Sequence, residues 1–274
     1  MSNALEDILI LTKTYPSPST KYRETTCVAA FNADGQLLRI FPVPFRLLEG
    51  DQHFSKWEWI RARLARATGD RRPESRRIDV DSIDKSGRSI GTDRGWAERR
   101  RWIEPHIVAG MAALDARRLN TGQTLGFIRP TQLVSLDITE VKEPDWTDEE
   151  WAKLQRDGLF DSDEVRGRPP LKKLPFDFHY NYECLGIAGI ETNRHKLTDW
   201  EVGALFWNCW RSHGPADWEV PFRQKLEMEF AAEDLLFLMG TVHRFPDQWL
   251  IVGLVYPPKP QPGEGQQLSL TLNP

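Results

Sequence analysis

Cys27, Glu24, Lys13 and Lys21 lie within fifteen positions of one another. Together a thiol, a carboxylate and an amine can run nucleophilic addition to a nitrile or carbonyl, with Glu and Lys moving the protons. Glu24 and Cys27 are three residues apart, which on a straight strand places them on opposite faces. A bulge or a strand start is needed to join them, and a buried structural cysteine is the competing reading. The surrounding segment, Thr12 to Cys27, also holds Thr14, Ser17, Ser19, Thr20, Tyr15, Tyr22, Pro16 and Pro18. The two prolines stiffen it and each removes a backbone donor, so its hydroxyls are presented outward in a defined shape. Such a loop suits an anion or a nucleotide phosphate, although an ordinary solvated loop has the same composition. Between two lysines and Arg23, the charged form of Glu24 is expected to be favoured.

A second set of residues is cationic. From Lys56 to Arg101 there are fourteen Lys and Arg, twelve of them Arg, against eight Asp and Glu, within a chain of net charge −4. Arginine offers a flat fork that matches phosphate bidentately. Trp57, Trp59, Trp96 and Trp102 interleave with the arginines, and aromatic rings supply platforms for unpaired bases. Arg61 and Arg63 fall on one face of a strand, and Arg71, Arg72, Arg76 and Arg77 crowd the densest part, Asp70 to Arg77. A solvated face laced with weak ion pairs is the alternative.

The third set is His179, Cys184, His195, Asp199 and Glu201. A Cys followed by a His eleven residues later does not close a tetrahedral zinc site. Thr198 and Glu201 read as a capping box, with Asp199 as a favourable charge at the helix start. No metal and no cofactor is therefore expected. His243 and Arg244 fall in a turn between two apolar strands, where rigid scaffolds present functional side chains.

The elements that position these residues follow from periodicity. Ile8 to Leu11, Thr25 to Phe31, Leu37 to Val43, Trp57 to Ala65 and Ser75 to Val80 read as five strands, with Asp34-Gly35 supplying a tight turn. Their spacing predicts a small barrel or strongly bent sheet. Trp96, Arg100, Ile103, Ile107, Met111 and Leu114 predict two helices, the second with Pro105 in its first turn. Thr124 to Ile128 and Leu133 to Val141 read as strands, and Thr147 with Glu150 as a capping box. Phe176, Phe178, Tyr180 and Tyr182 alternate with polar residues, a strand with one aromatic face. Val202, Leu205, Phe206, Cys209 and Trp210 predict a helix, as do Phe222, Leu226 and Phe230. Leu235 to Met239 and Trp249 to Tyr256 predict two buried strands. The fold class is α+β: a β-rich, barrel-like region over 1–92, a mixed region over 93–256 and a Pro/Gly/Gln tail over 257–274, where Leu268 to Leu272 could add an edge strand.

Apolar residues at 40% and eleven Trp exclude a globally disordered chain. No apolar run spans a membrane and no secretory leader is visible. Three scattered cysteines make no disulfide framework, so a reducing cytoplasm is the expected compartment.

Leu11-Thr-Lys-Thr-Tyr-Pro, Lys21-Tyr-Arg-Glu, Asp70-Arg-Arg-Pro-Glu-Ser75, His195 to Glu201, and Gly240-Thr with Phe245-Pro and Trp249 resemble an uncharacterised bacterial family. Its members carry a fuller Cys/His set before the Asp-Trp-Glu; here Cys184 and His195 remain. The resemblance implies a part in mobile-island DNA modification or phage defence, with possible protein partners in a multi-gene system. The expected function is action on nucleic acid, DNA before RNA, by an enzyme that modifies or processes a nucleobase. Nitrile or amide chemistry on a deazapurine is one version. The rival readings are a non-catalytic reader of a modified base or nucleotide and a structural subunit of a defence complex.

Overall fold

The computed structural model describes residues 4–156 and 163–260. The expected terminal strand at Leu268 to Leu272 lies outside them. The elements in chain order are β1 (Glu6–Lys13), β2 (Ser17–Ser19), β3 (Arg23–Asn32), β4 (Leu37–Val43), β5 (Glu58–Arg66), β6 (Ser75–Ser89), α1 (Asp93–Ile103), β7 (Ile107–Val108), α2 (Met111–Thr121), β8 (Leu125–Ile128) and β9 (Gln132–Glu140). There follow α3 (Asp148–Leu154), α4 (Asp163–Arg166), β10 (Phe176–Leu185), β11 (Ile190–Lys196), α5 (Trp200–Asp217), α6 (Glu219–Arg223), α7 (Phe230–Ala232), β12 (Leu236–Val242) and β13 (Phe245–Val255), with a π-helical stretch at Gln224–Glu229 joining α6 to α7.

The first five long strands close into a barrel in the order β1-β5-β6-β4-β3, sealed by β1 pairing with β3. Closure removes the exposed edges that an open sheet would leave. Within the barrel β4 and β6 pair in parallel and the other neighbours antiparallel. The run Ile8 to Leu11 is apolar on both faces because both are buried. Ile8 and Ile10 point into the barrel with Val28, Ala30, Leu38 and Ile60. Leu9 and Leu11 point outward, with Phe31 and Leu37, onto Phe127, Leu236, Leu238 and Val252 of the second half. The hairpin turn holds Gly35 at φ +77°, a backbone that glycine adopts without strain.

The second half holds a four-stranded sheet, β13-β12-β8-β7, and a three-stranded one, β11-β10-β9. The aromatic face read from β10 is real: Phe178, Tyr180 and Tyr182 are buried in one cluster with Phe206, Phe222, Leu226 and Phe237. The capping box of Thr147 and Glu150 starts α3. Around Pro105 the expectation of two abutting helices fails. Glu104–His106 form a 3-10 turn, and Ile107 and Val108 then pair in parallel with Phe127 and Ile128. Two β-branched residues take the free edge of a sheet, and that tertiary pairing overrides a helical spacing. Among the described residues no helix is long and apolar enough to cross a membrane.

Candidate functional site

The topology separates the sequence candidates into two groups. β1 and β4 end, and β3 and β5 begin, at one end of the barrel; β5 ends and β6 begins at the other. The eight steps of β5 put these ends roughly 26 Å apart at ~3.3 Å per residue. Lys13, Lys21 and Glu24 belong to the first end and Arg71 to Arg77 to the second, with Cys27 midway along β3. The two sets therefore do not line one cavity.

At the first end the proposed chemical set engages separate partners. Lys13 donates to the Phe54 carbonyl at 3.0 Å and its Nζ lies 3.9 Å from the centre of the Phe45 ring. Burial, and then the charge of Lys56, lower its pKa to about 8. Glu24, buried, accepts from Arg46 Nη1 at 2.8 Å, and among the described residues its other oxygen has no hydrogen-bond partner. Burial raises the Glu24 pKa against the charges of Arg46, Arg23 and Arg168. This reverses the expectation of a favoured carboxylate: the cost of desolvating the group outweighs three nearby cations. The Cys27 thiol lies 3.8 Å from Arg39 Nη1, and Arg39 in turn donates to the Thr124 carbonyl at 3.2 Å, at the junction with the second half.

Ser17 and Ser19 are not loop residues. They form β2, paired with Thr25 and Arg23 of β3, and the Ser19 hydroxyl accepts from the Tyr22 amide at 3.4 Å. Lys21 covers the Tyr22 ring at 4.7 Å. Tyr15 and Pro16 line a cleft of about 320 Å³ against α5.

Asp199 is a joint. Its carboxylate caps α5 by accepting from the Glu201 amide at 2.8 Å, and it accepts from the Leu254 amide at 2.8 Å and from Lys56 at 3.0 Å. Lys56 also reaches Glu201 at 2.8 Å. The cap is thus Asp199, in place of the expected Thr198–Glu201 box; the Thr198 hydroxyl bonds the Ile251 carbonyl instead. Despite its burial Lys56 keeps a raised pKa, because Asp199 and Glu201 both favour its charge.

At the second end, Arg72 is structural. It grips Asp70 at 2.6 Å and donates to the Thr241 carbonyl at 2.8 Å, fixing the Asp70 to Ser75 turn on β12. Burial would raise the Asp70 pKa, but hydrogen bonds from Arg72 and Ser75 hold it well below the usual carboxylate range. His243 joins the same turn, 3.4 Å from Asp70. Arg61 and Arg63 are taken up by Asp7 at 3.7 Å and Asp79 at 3.0 Å. Arg71 and Arg77 are exposed and make no ion pair among the described residues. Arg76 donates to the carbonyls of Pro73 and Ser75. Arg66 and Arg76 stand directly opposite across β5 and β6 and border one hollow with Arg77, Leu64 and Glu6.

The tryptophans change role. Trp57 is 4% exposed and carries Arg99 over its ring at 5.0 Å, so it offers no free face. Trp59 is half-buried against Trp102, with ring centres 5.3 Å apart, and Arg88 covers it at 5.4 Å. His179 and His195 sit on the β9-β10-β11 sheet. His195 is bonded to the Tyr182 hydroxyl at 2.9 Å, and burial, then His179, lower its pKa to about 4. Cys184 is buried beside the Asn193 amide.

Several residues at these sites carry no signal in the strand patterns. Arg46, Trp200, Trp207, Lys172 and Arg211 meet at the α5 cleft. The signal was partly present: Trp200, Ala204, Trp207, Asn208 and Arg211 form one stripe of a helix whose other stripe, Val202, Phe206 and Cys209, is core.

A closed barrel fused to a mixed sheet-and-helix half, with cationic groups gathered at both barrel ends, defines a two-part α+β protein. The chain belongs to the family described as Domain of unknown function (DUF8757), whose model matches residues 108–273, and its residues 4–105 match a second model, Domain of unknown function (DUF8758). No curated protein and no solved structure matches the chain.

Proposed function

We propose that this protein acts on nucleic acid and grips it at the arginine end of the barrel. One observation carries the reading: Arg66 and Arg76 face each other across β5 and β6, with no carboxylate at ion-pair distance among the described residues. Like charges directly opposite on paired strands are destabilising, and a bound polyanion removes that cost. Arg77 and Arg71 extend the patch. Glu6 borders the same hollow, where its charge offsets part of theirs.

Fold analogy adds to this. Five-stranded Greek-key barrels of the OB type bind oligonucleotides across their second and third strands, and the order here, with β4 parallel to β6, is of that type. The outward residues of the equivalent strands, Ala29, Phe31 and Leu37, are covered by the second half. That face is closed to a nucleic acid, which supports docking at a barrel end. DNA is the partner that the sequence motifs favour. The catalytic version, with Lys13, Lys21, Glu24 and Cys27 attacking a nitrile or amide, needs those groups at one reacting atom. Their separate partners make binding the better-supported function.

The test is salt-dependent retention on single- and double-stranded DNA. Each phosphate contact steepens the dependence of log K on log salt by about 0.7 to 0.9. Replacing Arg66, Arg76 and Arg77 together by Ala should flatten the slope by about 2. A wild-type protein that fails to bind either DNA at low salt refutes the proposal.

A further inference from the structure

We infer that the cleft between the Tyr15 loop and α5 is a binding site for a nucleoside 5′-phosphate, as a free mononucleotide or as one unpaired nucleotide of a strand. It lies at the opposite barrel end from the arginine patch, so it stands or falls separately from the reading above.

The walls are aromatic and fixed. Tyr15 and Trp200 have ring centres 6.3 Å apart and planes tilted by 44°. Trp207 Nε1 donates to the Tyr15 hydroxyl at 2.9 Å, and that hydroxyl donates to the Lys172 carbonyl at 2.9 Å. The polar edges of both rings are thereby satisfied within the protein. The backbone behind Tyr15 is pinned by its amide, which donates to the Thr198 carbonyl at 2.7 Å. Gly203 lets the ring lie flat against α5, since a Cβ there would meet Tyr15 Cδ2 at 2.2 Å. Such a wall is preorganised: little side-chain freedom remains to be lost on binding.

The charge is one-sided. Arg46, Lys172 and Arg211 line the cleft, and among the described residues none of its lining is acidic. Glu24, lying behind, answers Arg46. Lys172 and Arg211 have no carboxylate at ion-pair distance among the described residues. Arg211 is steadied by Asn208 Oδ1, and the Lys172 ammonium rests 5.1 Å from the Trp207 ring centre. Two uncompensated cations within a chain of net charge −4 select an anion, and flat rings select a planar body.

The volume of about 320 Å³ falls at the small end of ligand pockets, which run from about 300 to 1,000 Å³. It admits one base with its sugar and phosphate and excludes a base pair. Ala204 keeps the cleft open: a larger side chain at that position of α5 would enter it. The base would lie against Tyr15 and Trp200, with the phosphate toward Arg46, Lys172 and Arg211.

The experiment is titration of the whole protein with the four nucleoside 5′-monophosphates, adenosine, inorganic phosphate and an eight-residue single-stranded DNA, read by calorimetry and by tryptophan fluorescence. At least one monophosphate, or the oligonucleotide, should bind at least tenfold tighter than adenosine or phosphate alone. Which of the two binds names the source of the ligand. Ala204→Phe should abolish that binding, and Arg211→Met, an exposed change that leaves the fold intact, should weaken it about threefold to tenfold. The Arg66, Arg76 and Arg77 triple variant should keep monophosphate binding while its DNA retention falls, which separates this site from the arginine patch. Absence of binding by every probe, or binding unchanged in both Ala204→Phe and Arg211→Met, overturns the inference.

Discussion

The buried polar side chains show how far a group's behaviour is set by what surrounds it. Glu24 and Asp199 are both nearly inaccessible carboxylates. Asp199 uses its oxygens on two backbone amides and Lys56, whereas Glu24 accepts from Arg46 and burial raises its pKa. His195 gives the clearest pH dependence. Its folded pKa of about 4 lies below the ordinary 6.5, so the unfolded chain takes up the proton first as pH falls. The stability it contributes is complete above about pH 6.5 and is lost between there and pH 4. Allowing for solvent screening of a half-buried ring, roughly 1–2 kcal/mol is at stake. Thermal melts of His195→Gln should therefore lose part of the acid slope seen in the wild type between pH 6.5 and 4; an unchanged slope would place that titration elsewhere. Residue identity alone left Glu24 misread, because the sequence displays its cationic neighbours but not the depth at which it is buried.

Among the elements, α5 carries two jobs on two stripes. Val202, Phe206 and Cys209 enter the core, while Trp200, Trp207 and Arg211 face the cleft. Its first residue is held by a joint that ties three elements: Lys56 from the segment before β5, Asp199 at the helix start and the Leu254 amide of β13. Asp199→Ala removes a helix cap, worth about 1 kcal/mol, and leaves Lys56 buried with one partner. We expect a loss of about 3 kcal/mol in chemical denaturation. Glu201→Gln, at an exposed partner, should cost under ~1 kcal/mol; equal effects from the two would show that Asp199 is not the joint. The strands were largely legible, since period-two alternation in β10 and short apolar runs in β1 and β12 survive into the fold. What remained hidden was non-local: the capping role passing from Thr198 to Asp199, the edge pairing that claimed Ile107 and Val108, and the polar stripe of α5. Each depends on a partner distant in the chain.

At the scale of the molecule, the barrel is not self-sufficient. Leu9, Leu11, Phe31 and Leu37 leave its outer surface to pack on Phe127, Leu236, Leu238 and Val252. A fragment of residues 4–105 would expose that face, a contiguous apolar patch of the kind that drives association. Expressed alone it should aggregate or bind a hydrophobic dye, and co-expression with residues 106–274 should rescue it; a monomeric, cooperatively melting fragment would contradict this. The candidate site was legible only in pieces for the same reason. Tyr15, Lys172 and Trp207 lie far apart in the chain, and only the joining of the two halves makes them neighbours. The backbone stitch at that join, the Tyr15 amide bonded to the Thr198 carbonyl and Thr14 bridged to Asp199, has a consequence for slow motion. The Tyr15 amide is released to solvent when the loop lifts from the second half. Its hydrogen exchange thus reads the free energy of local opening at the mouth of the cleft, and a ligand held there would slow that exchange in proportion to its occupancy.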